Sequence, residues 1–404
     1  MSDEPNVVTI TTYEMAREAY RTKELRQALY DAGEVIMGDV LVNLPGTDHR
    51  DRRRLENRLY RRATFHEYEY DLFPEIFEKT LAPHLAAGRA ELVDLGHQLM
   101  MNLAAYTAGV DRPLGTPEET AELYEFLKVF IEGATLAHYT GDRAAKEAEV
   151  RAALETFDTD FLQPSIDRRT GLLAQLAAGE IDESELPRDV LTVLLRNEDK
   201  LHLPHEVLRR EIAFYLLAGA HTSATAFTRV MHNLFEWLVD HPEDAARIHD
   251  DRLFVQRATH ETVRLQPSSP VAQRWALADL EFSDGTTVAQ GDKVVIDLLE
   301  VNRDRSVFGD DADEFDPDHE FPEGVAPWGL SFGLGMHACI GQDLAAGVVA
   351  GSDDAEDHLF GLVPVAVQRL FDEGCRPDPD DPPEMDPSTT RPYFGRYPVL
   401  FGQA

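Results

Sequence analysis

The sequence is short of cysteine, lysine and tryptophan, and it has no long apolar run. Only Cys339 and Cys375 occur in 404 residues. Two thiols exclude a disulfide scaffold and any zinc or iron–sulfur site that needs four cysteines. Six lysines stand against 32 arginines, a bias that speaks of source or salt habitat rather than function. No stretch reaches about 18 uninterrupted apolar residues, so no membrane anchor is expected. The opening MSDEPNVVTI has neither the basic nor the apolar region of a signal peptide. Basic charge is scarce too: 38 Lys and Arg face 74 Asp and Glu, a formal net charge of −36. Such a surface repels phosphate backbones and anionic lipid, which argues against nucleic-acid binding and membrane docking.

What is present is an ordinary globular composition, 43% hydrophobic and 28% charged. The expectation is a cytoplasmic, enzyme-sized protein. Length alone allows two or three domains of about 150 residues. No linker or internal repeat is visible, so a single domain over 1–404 is preferred. Residues 10–260 read mostly as helix, with apolar residues recurring at three and four. Residues 268–300 alternate and carry Gly turns, the mark of short strands. Residues 303–341 predict a long ordered loop, a length that is usually functional. GSDDAED at 351–357 and PDPDDPPEMDP at 377–387 read as surface loops, and RPYFGRYPVLF at the end as a returning hairpin. The sum is a mainly α fold with small β-sheets.

Two segments carry chemistry. The stretch 205–240 has no internal proline and predicts one long helix. No charged residue lies between Ile212 and Thr228, yet Gly219, His221, Thr222, Ser223 and Thr225 sit there. Either the hydroxyls bond back to i−4 carbonyls, or the polar groups meet a ligand or water. The second segment is SFGLGMHACIGQDLAAG at 331–347, where glycines surround Cys339 ahead of an expected helix. A thiolate there is a nucleophile with His337 as base, or a metal ligand, or an inert core thiol. A single cysteine as metal ligand points to haem, which needs only one protein axial ligand. Cys375, in DEGCRPDPD, reads as a structural or incidental surface residue.

FGLGMHACIG resembles the haem-binding signature Phe-x-x-Gly-x-x-x-Cys-x-Gly of the cytochrome P-450 superfamily, with Phe332, Gly335, Cys339 and Gly341 on its fixed positions. Glu261-Thr-Val-Arg264 matches the family's Glu-x-x-Arg pair. The pattern alone is worthless, since Glu14–Arg17, Glu18–Arg21 and Glu206–Arg209 share it, but its place in the chain is right. AsnArgAsp at 302–304 and the turn at Phe315-Asp316-Pro317 resemble the segment that joins that pair to the cysteine loop. Ala218, Gly219, Thr222 and Ser223 resemble the oxygen-binding groove of the family's central helix. The likeness spans about residues 8–345 and the terminal segment, and is to soluble bacterial members.

The resemblance implies the cytochrome P-450 fold, with haem b between the central helix and the cysteine loop. It makes Cys339 the axial ligand of the iron, with Phe332, Gly333, Gly335 and Gly341 shaping the loop. His337, Arg274, His49 and Arg53 would bind the propionates, and Glu261 and Arg264 would hold the core. Gly219 would let oxygen approach. Thr222, with Ala218 and His221 beside it, would hydrogen-bond the dioxygen and relay protons. By the same analogy Phe214, Leu217, Ser269, Val271 and Phe394 would line the substrate pocket. The implied function is a monooxygenase acting on a small or medium hydrophobic molecule. The alternatives are a haem-thiolate ligand-binding protein and a peroxygenase.

Four departures stand out. His221 replaces the usual acid before the threonine, as in the sterol-demethylating branch. His319 stands where an arginine normally completes the Glu/Arg network. The family's N-terminal strand and first helix are not expected here, since His49 comes about 40 residues early. The helix after Cys339 runs into GSDDAEDHLF. Finally, RDRRRLENRLYRR at 50–62 concentrates seven arginines in an acidic protein. Read as one helix, it puts Arg50, Arg54, Arg58 and Arg61 on a single face. That face is either merely solvated or a docking patch for an acidic ferredoxin or flavodoxin. The length leaves no room for a fused flavin reductase.

Overall fold

The computed structural model describes residues 5–349 and 358–402, so the 351–357 loop lies outside the described residues. Helices carry the fold. His205 to Asp240 form one helix of 36 residues, as the absence of proline predicts. Ile212, Ala213, His221 and Arg229, which a helix of 3.6 residues per turn spreads around its circumference, are all less than a tenth exposed. That is the pattern of a helix enclosed by protein on all sides. Helix Leu92–Ala108 packs closely along it, and the approach depends on small residues. A Cβ on Gly96 would sit 2.8 Å from the Phe227 ring, and one on Gly219 would sit 3.1 Å from Cβ of Ala104. Among the described residues no helix is long and apolar enough to cross a membrane.

The alternating segments form small sheets. The largest has four strands in the order Val7–Ile10, Lys293–Asp297, Val271–Ala276, Leu25–Gln27. The first pair is parallel and the others antiparallel. Alternation buries Val294 and Ile296 on one strand and Ala272, Arg274 and Ala276 on its neighbour. Register places Arg274 opposite Gln27, and its Nη1 donates to Gln27 Oε1 at 2.6 Å. The sheet has its own apolar core, separate from the larger one around the central helix.

Three expectations need correction. The terminal hairpin does not form. Phe394–Arg396 pairs with Glu384–Met385, while Pro398–Leu400 pairs with Arg89–Glu91 and Arg376–Pro377. Strand partners far apart in sequence are set by tertiary packing, which local alternation does not encode. The arginine-rich segment is not one helix: Gly46–Glu56 ends before Arg58, and a new helix runs over Arg62–His66. Arg52 faces inward and pairs with buried Glu211 at 2.7 Å. Cys375 is buried rather than on the surface, and burial pushes its thiol pKa up.

The helix after Cys339 is interrupted. Gln342–Ala346 has five residues; the chain then leaves the axis at Gly347 and returns at Gly361 to begin Leu362–Asp372. Both glycines have positive φ, +75° and +93°. They touch where the chain leaves and returns, and a Cβ on Gly361 would overlap Gly347 N and lie 2.5 Å from the carbonyl carbon of Ala346. Gln256 clamps the crossing. Its Nε2 faces the carbonyls of Ala346, Val348, Leu359 and Phe360 at 3.0–3.3 Å, and its Oε1 accepts from His358 at 3.1 Å.

Candidate active site around Cys339

The cysteine loop folds back on itself through glycine. Gly333 and Gly335 have φ of +67° and +71°, and a Cβ on Gly335 would lie 2.8 Å from Tyr20 O. This turn lets the Cys339 N–H donate to Phe332 O at 2.8 Å. The sulfur faces an internal cavity, open to a small molecule there yet enclosed by protein. Burial pushes the thiol pKa up, against the N–H groups of Gly341 and Gln342 and the charge of Arg53, which lower it. A metal cation at the sulfur reverses that balance, because a coordinating thiol is deprotonated outright. His337 stacks edge-on against His49, ring centroids 4.4 Å apart. Among the described residues no hydrogen bond joins His337 to Cys339, which disfavours the nucleophile–base reading.

The cavity measures about 320 Å³. One wall is Phe332, Gly333, His337, Cys339 and Gly341; the opposite wall is Phe214, Ala218, Gly219, Thr222 and Ser223 of the central helix. Ser269 and Val271 also line it. Among the described residues no Asp or Glu does, although the sequence carries 74 of them. Instead His49, Arg53, Arg274 and His337 converge. Arg53 donates to Ala338 O at 2.8 Å. Nε2 of His49 and Nδ1 of His337 are buried without a partner. Burial, reinforced by neighbouring cationic or imidazole groups, pushes the two histidines down to about 4 and about 3. They are therefore neutral N–H donors beside two guanidinium charges, with no anion among the described residues to meet them. Two propionates of a haem fit this set: the orphaned nitrogens and the uncompensated arginines both ask for carboxylates. Among the described residues no three His, Cys, Asp or Glu side chains converge as a metal cage. A metal at Cys339 must then bring its other ligands with it, as haem iron does.

On the helix wall Thr222 Oγ1 donates to Ala218 O at 2.8 Å, and Ser268 Oγ donates to Thr222 O at 2.9 Å. The hydroxyl thus bonds back to its i−4 carbonyl, the first reading of this helix, and also lines the cavity. Gly219 lines the cavity, but its missing Cβ is needed toward Ala104. His221 does not line it. One residue along a helix turns about 100°, and His221 faces a cleft on the other side, 3.3 Å from His97. Leu217 is buried in the main core, and Phe394 lines the cleft with His221. Both leave the pocket set.

Glu261 and Arg264 lie behind the cysteine loop, almost without exposure. Arg264 Nη2 and Nε donate to Glu261 at 2.5 and 2.7 Å, and Nη1 donates to the carbonyls of Asn302 and Ala312. His319 lies beside the group, its Nδ1 3.6 Å from Glu261 without a hydrogen bond among the described residues and its Nε2 3.1 Å from Phe308 O. Asn302 links it to the cysteine loop: its Nδ2 donates to Arg264 O and Ser331 Oγ, and its Oδ1 accepts from Leu330 N.

Sequence reasoning missed a buried acid cluster beside the cavity. Tyr215, which lines the cavity, donates to Glu56 Oε2 at 2.5 Å. Glu211 accepts from Arg52 and from Leu41 N. The only available signal was Glu211, at the edge of the uncharged stretch. Burial pushes Glu211 up to about 7, and burial with the Glu211 charge pushes Glu56 well above the carboxylate range. A raised carboxyl stabilises the fold below its unfolded pKa and loses that contribution as pH rises through the folded value. We therefore expect Glu56→Gln to gain on the native protein between pH 5 and 8. Thermal midpoints of the two proteins, equal within a degree at pH 5, should differ by a few degrees in the variant's favour at pH 8. Parallel curves contradict this.

The family model for cytochrome P450 matches residues 159–347 of the chain, a span that includes Thr222, the Glu261–Arg264 pair and Cys339. Cytochrome P450 105A3 of Streptomyces carbophilus is 34% identical over 182 residues, 44% of this chain and 36% of that one. The monooxygenase PikC of Streptomyces venezuelae is 27% identical over 244 residues, 58% and 55% of the two chains. The aligned stretches thus span less than two thirds of the length of either relative. Among solved structures, P450BioI, in complex with an acyl carrier protein ligated to hexadec-9Z-enoic acid, superposes with a TM-score of 0.74 at 20% identity. That match covers 98% of this chain and 92% of the other.

Proposed function

We propose that this chain is a haem-thiolate monooxygenase of the cytochrome P450 family, whose model matches residues 159–347. Its reaction is substrate-H + O2 + two electrons + two protons → substrate-OH + water, on a small or medium hydrophobic molecule. The observation that carries this reading is the cavity that joins the Cys339 thiol, four propionate-type donors and the Thr222 hydroxyl, with no carboxylate on its walls among the described residues. Haem b held there supplies oxygen activation, since thiolate donation favours O–O cleavage. The chain does the rest. Cys339 ligates, while His49, Arg53, Arg274 and His337 fix the propionates. Phe214 and Val271 present apolar surface to substrate, with Ser269 as a hydrogen-bonding point. Thr222 keeps its proton at Oγ1 on Ala218 O and offers its lone pairs to the cavity.

Electrons come from a separate ferredoxin- or flavodoxin-type donor. Arg50, Arg54, Arg58, Arg61 and Arg62 are exposed on the segment whose Arg53 reaches the residue before Cys339. Among the described residues Arg54, Arg58 and Arg61 have no ion-pair partner. This local positive face offsets the net charge for an acidic donor. Reconstitution with ferredoxin and its reductase under 18O2 tests both parts. Product carrying one 18O atom is expected. The double variant Arg54→Glu/Arg58→Glu should slow haem reduction about tenfold at low salt, with the difference shrinking as salt screens it. Unlabelled product contradicts the reaction, and an unchanged reduction rate contradicts the docking face.

A further inference from the structure

Six arginines are less than a tenth exposed: Arg52, Arg169, Arg229, Arg264, Arg274 and Arg391. A buried charge is costly unless an opposite charge meets it. Three have their partner: Arg52 with Glu211, Arg169 with Asp189 and Asp111, Arg264 with Glu261. Arg274 lacks a carboxylate because it belongs to the Cys339 cavity, where the missing anion is a propionate. That leaves Arg229 and Arg391. Arg229 donates only to the carbonyls of Gln266, Pro267 and Pro392, at 2.7–3.0 Å. Arg391 donates to Tyr393 Oη at 2.8 Å, and its Nε is buried without a partner. Their guanidinium carbons lie 5.2 and 5.8 Å from the same Tyr393 ring. Among the described residues neither has a carboxylate within ion-pair distance. Burial, with the like charge of Arg391 adding to it, pushes Arg229 down to about 10.

These charges adjoin a cleft of about 380 Å³ on the face of the central helix that carries His221, about 100° round from Thr222. Arg229, His221 and Tyr393 form its buried inner wall, with Arg391 behind Tyr393. A second orphan faces the same place. His97 Nδ1 lies 2.9 Å from Val93 O, so it carries the hydrogen. His97 Nε2 then accepts from His221 Nδ1, and His221 Nε2 is left as a bare acceptor. That nitrogen is buried without a partner. The outer walls carry apolar side chains such as Ile131 and Phe394 and also the carboxylates of Asp94, Glu132, Glu384 and Asp386.

We infer that this cleft is a second ligand site, separate from the Cys339 cavity, for a small organic acid with an apolar body. Its carboxyl group meets Arg229 and the field of Arg391 and shares its proton with His221 Nε2, while its body lies against the apolar side chains. The inference goes beyond the monooxygenase reading; Arg229, Arg391 and His221 do not line the haem cavity, and Tyr393 reaches it only through its hydrogen bond to Ser268 O.

Calorimetric titration of the haem-loaded full chain with octanoate and with octanol tests it, with the Soret band followed in parallel. Octanoate is expected to bind at least about tenfold tighter than octanol, as one charge-assisted hydrogen bond implies. Arg391→Gln should erase that preference and Arg391→Lys should keep it. Ile131→Trp, which fills the cleft, should abolish binding of octanoate while the carbon monoxide spectrum stays native. Equal affinity for acid and alcohol in the native protein overturns the proposal. So does a preference for octanoate that survives both Arg391→Gln and Ile131→Trp, which would place the acid in the Cys339 cavity. A missing carbon monoxide band with octanoate preference intact would sink the monooxygenase reading and leave this one standing.

Discussion

Replacing Arg264 by methionine is expected to cost about 3–5 kcal/mol, the usual effect of stranding one member of a buried ion pair. That is a large share of the 5–15 kcal/mol by which domains are stable. The cost arises because Glu261 is left charged with almost no exposure, and the carbonyls of Asn302 and Ala312 lose their donor. Arg264→Lys should not rescue it, since an ammonium cannot reproduce the guanidinium fork that reaches two sides of Glu261 and two carbonyls. The chain contains its own control. Glu14–Arg17 has the same spacing and a 2.8 Å contact, with side chains 73% and 34% exposed. Arg17→Met should shift stability by less than about 0.5 kcal/mol. Urea midpoints of the two variants check this, and similar losses in both would show that position in the fold does not decide the value of the motif.

Gly361→Ala is expected to cost about 3 kcal/mol or more. Left-handed backbone at an ordinary residue costs about 1–3 kcal/mol on its own, and here the added methyl meets main chain rather than a side chain that can swing away. Gly361 sits at φ +93° against Gly347 N and Ala346. The helix that follows Cys339 ends at this crossing, so the variant should also retain haem poorly. Gly171→Ala is the contrast: it lies inside helix Gln163–Ala178 with nothing near its Cβ position. It should stabilise by about 0.5–1 kcal/mol, the helix propensity difference. A Gly361→Ala protein as stable as the native one would contradict the account of the interrupted helix.

How much of this was legible in the sequence depends on distance along the chain. The central helix, the strands at 271–297 and the glycine turns around Cys339 follow from local pattern and stand in the structure. The Glu261–Arg264 pair was legible only through its place relative to Cys339, since three other pairs share its spacing. Side-chain direction was less accessible. His221 and Thr222 are adjacent, yet one faces the cleft and the other the cavity, and only the surrounding helices fix that rotation. Arg52 was hidden in a run of surface arginines because its partner, Glu211, lies on the central helix. The strand Pro398–Leu400 was given the wrong partner for the same reason, as Arg89–Glu91 is far away in sequence. Leu217 and Phe394 left the pocket because helix packing and sheet pairing, not nearness to Thr222, decide which cavity a side chain meets. The contact between Gly347 and Gly361 had no local signal beyond the two glycines.

The central claim is that Cys339 holds a haem as its thiolate ligand. The carbon monoxide difference spectrum of the dithionite-reduced protein tests it most directly, on the native chain and on Cys339→Ala. The account predicts a red-shifted Soret band in the native protein and none in the variant. Haem with an unshifted band, or a native protein that takes up no haem, would contradict it.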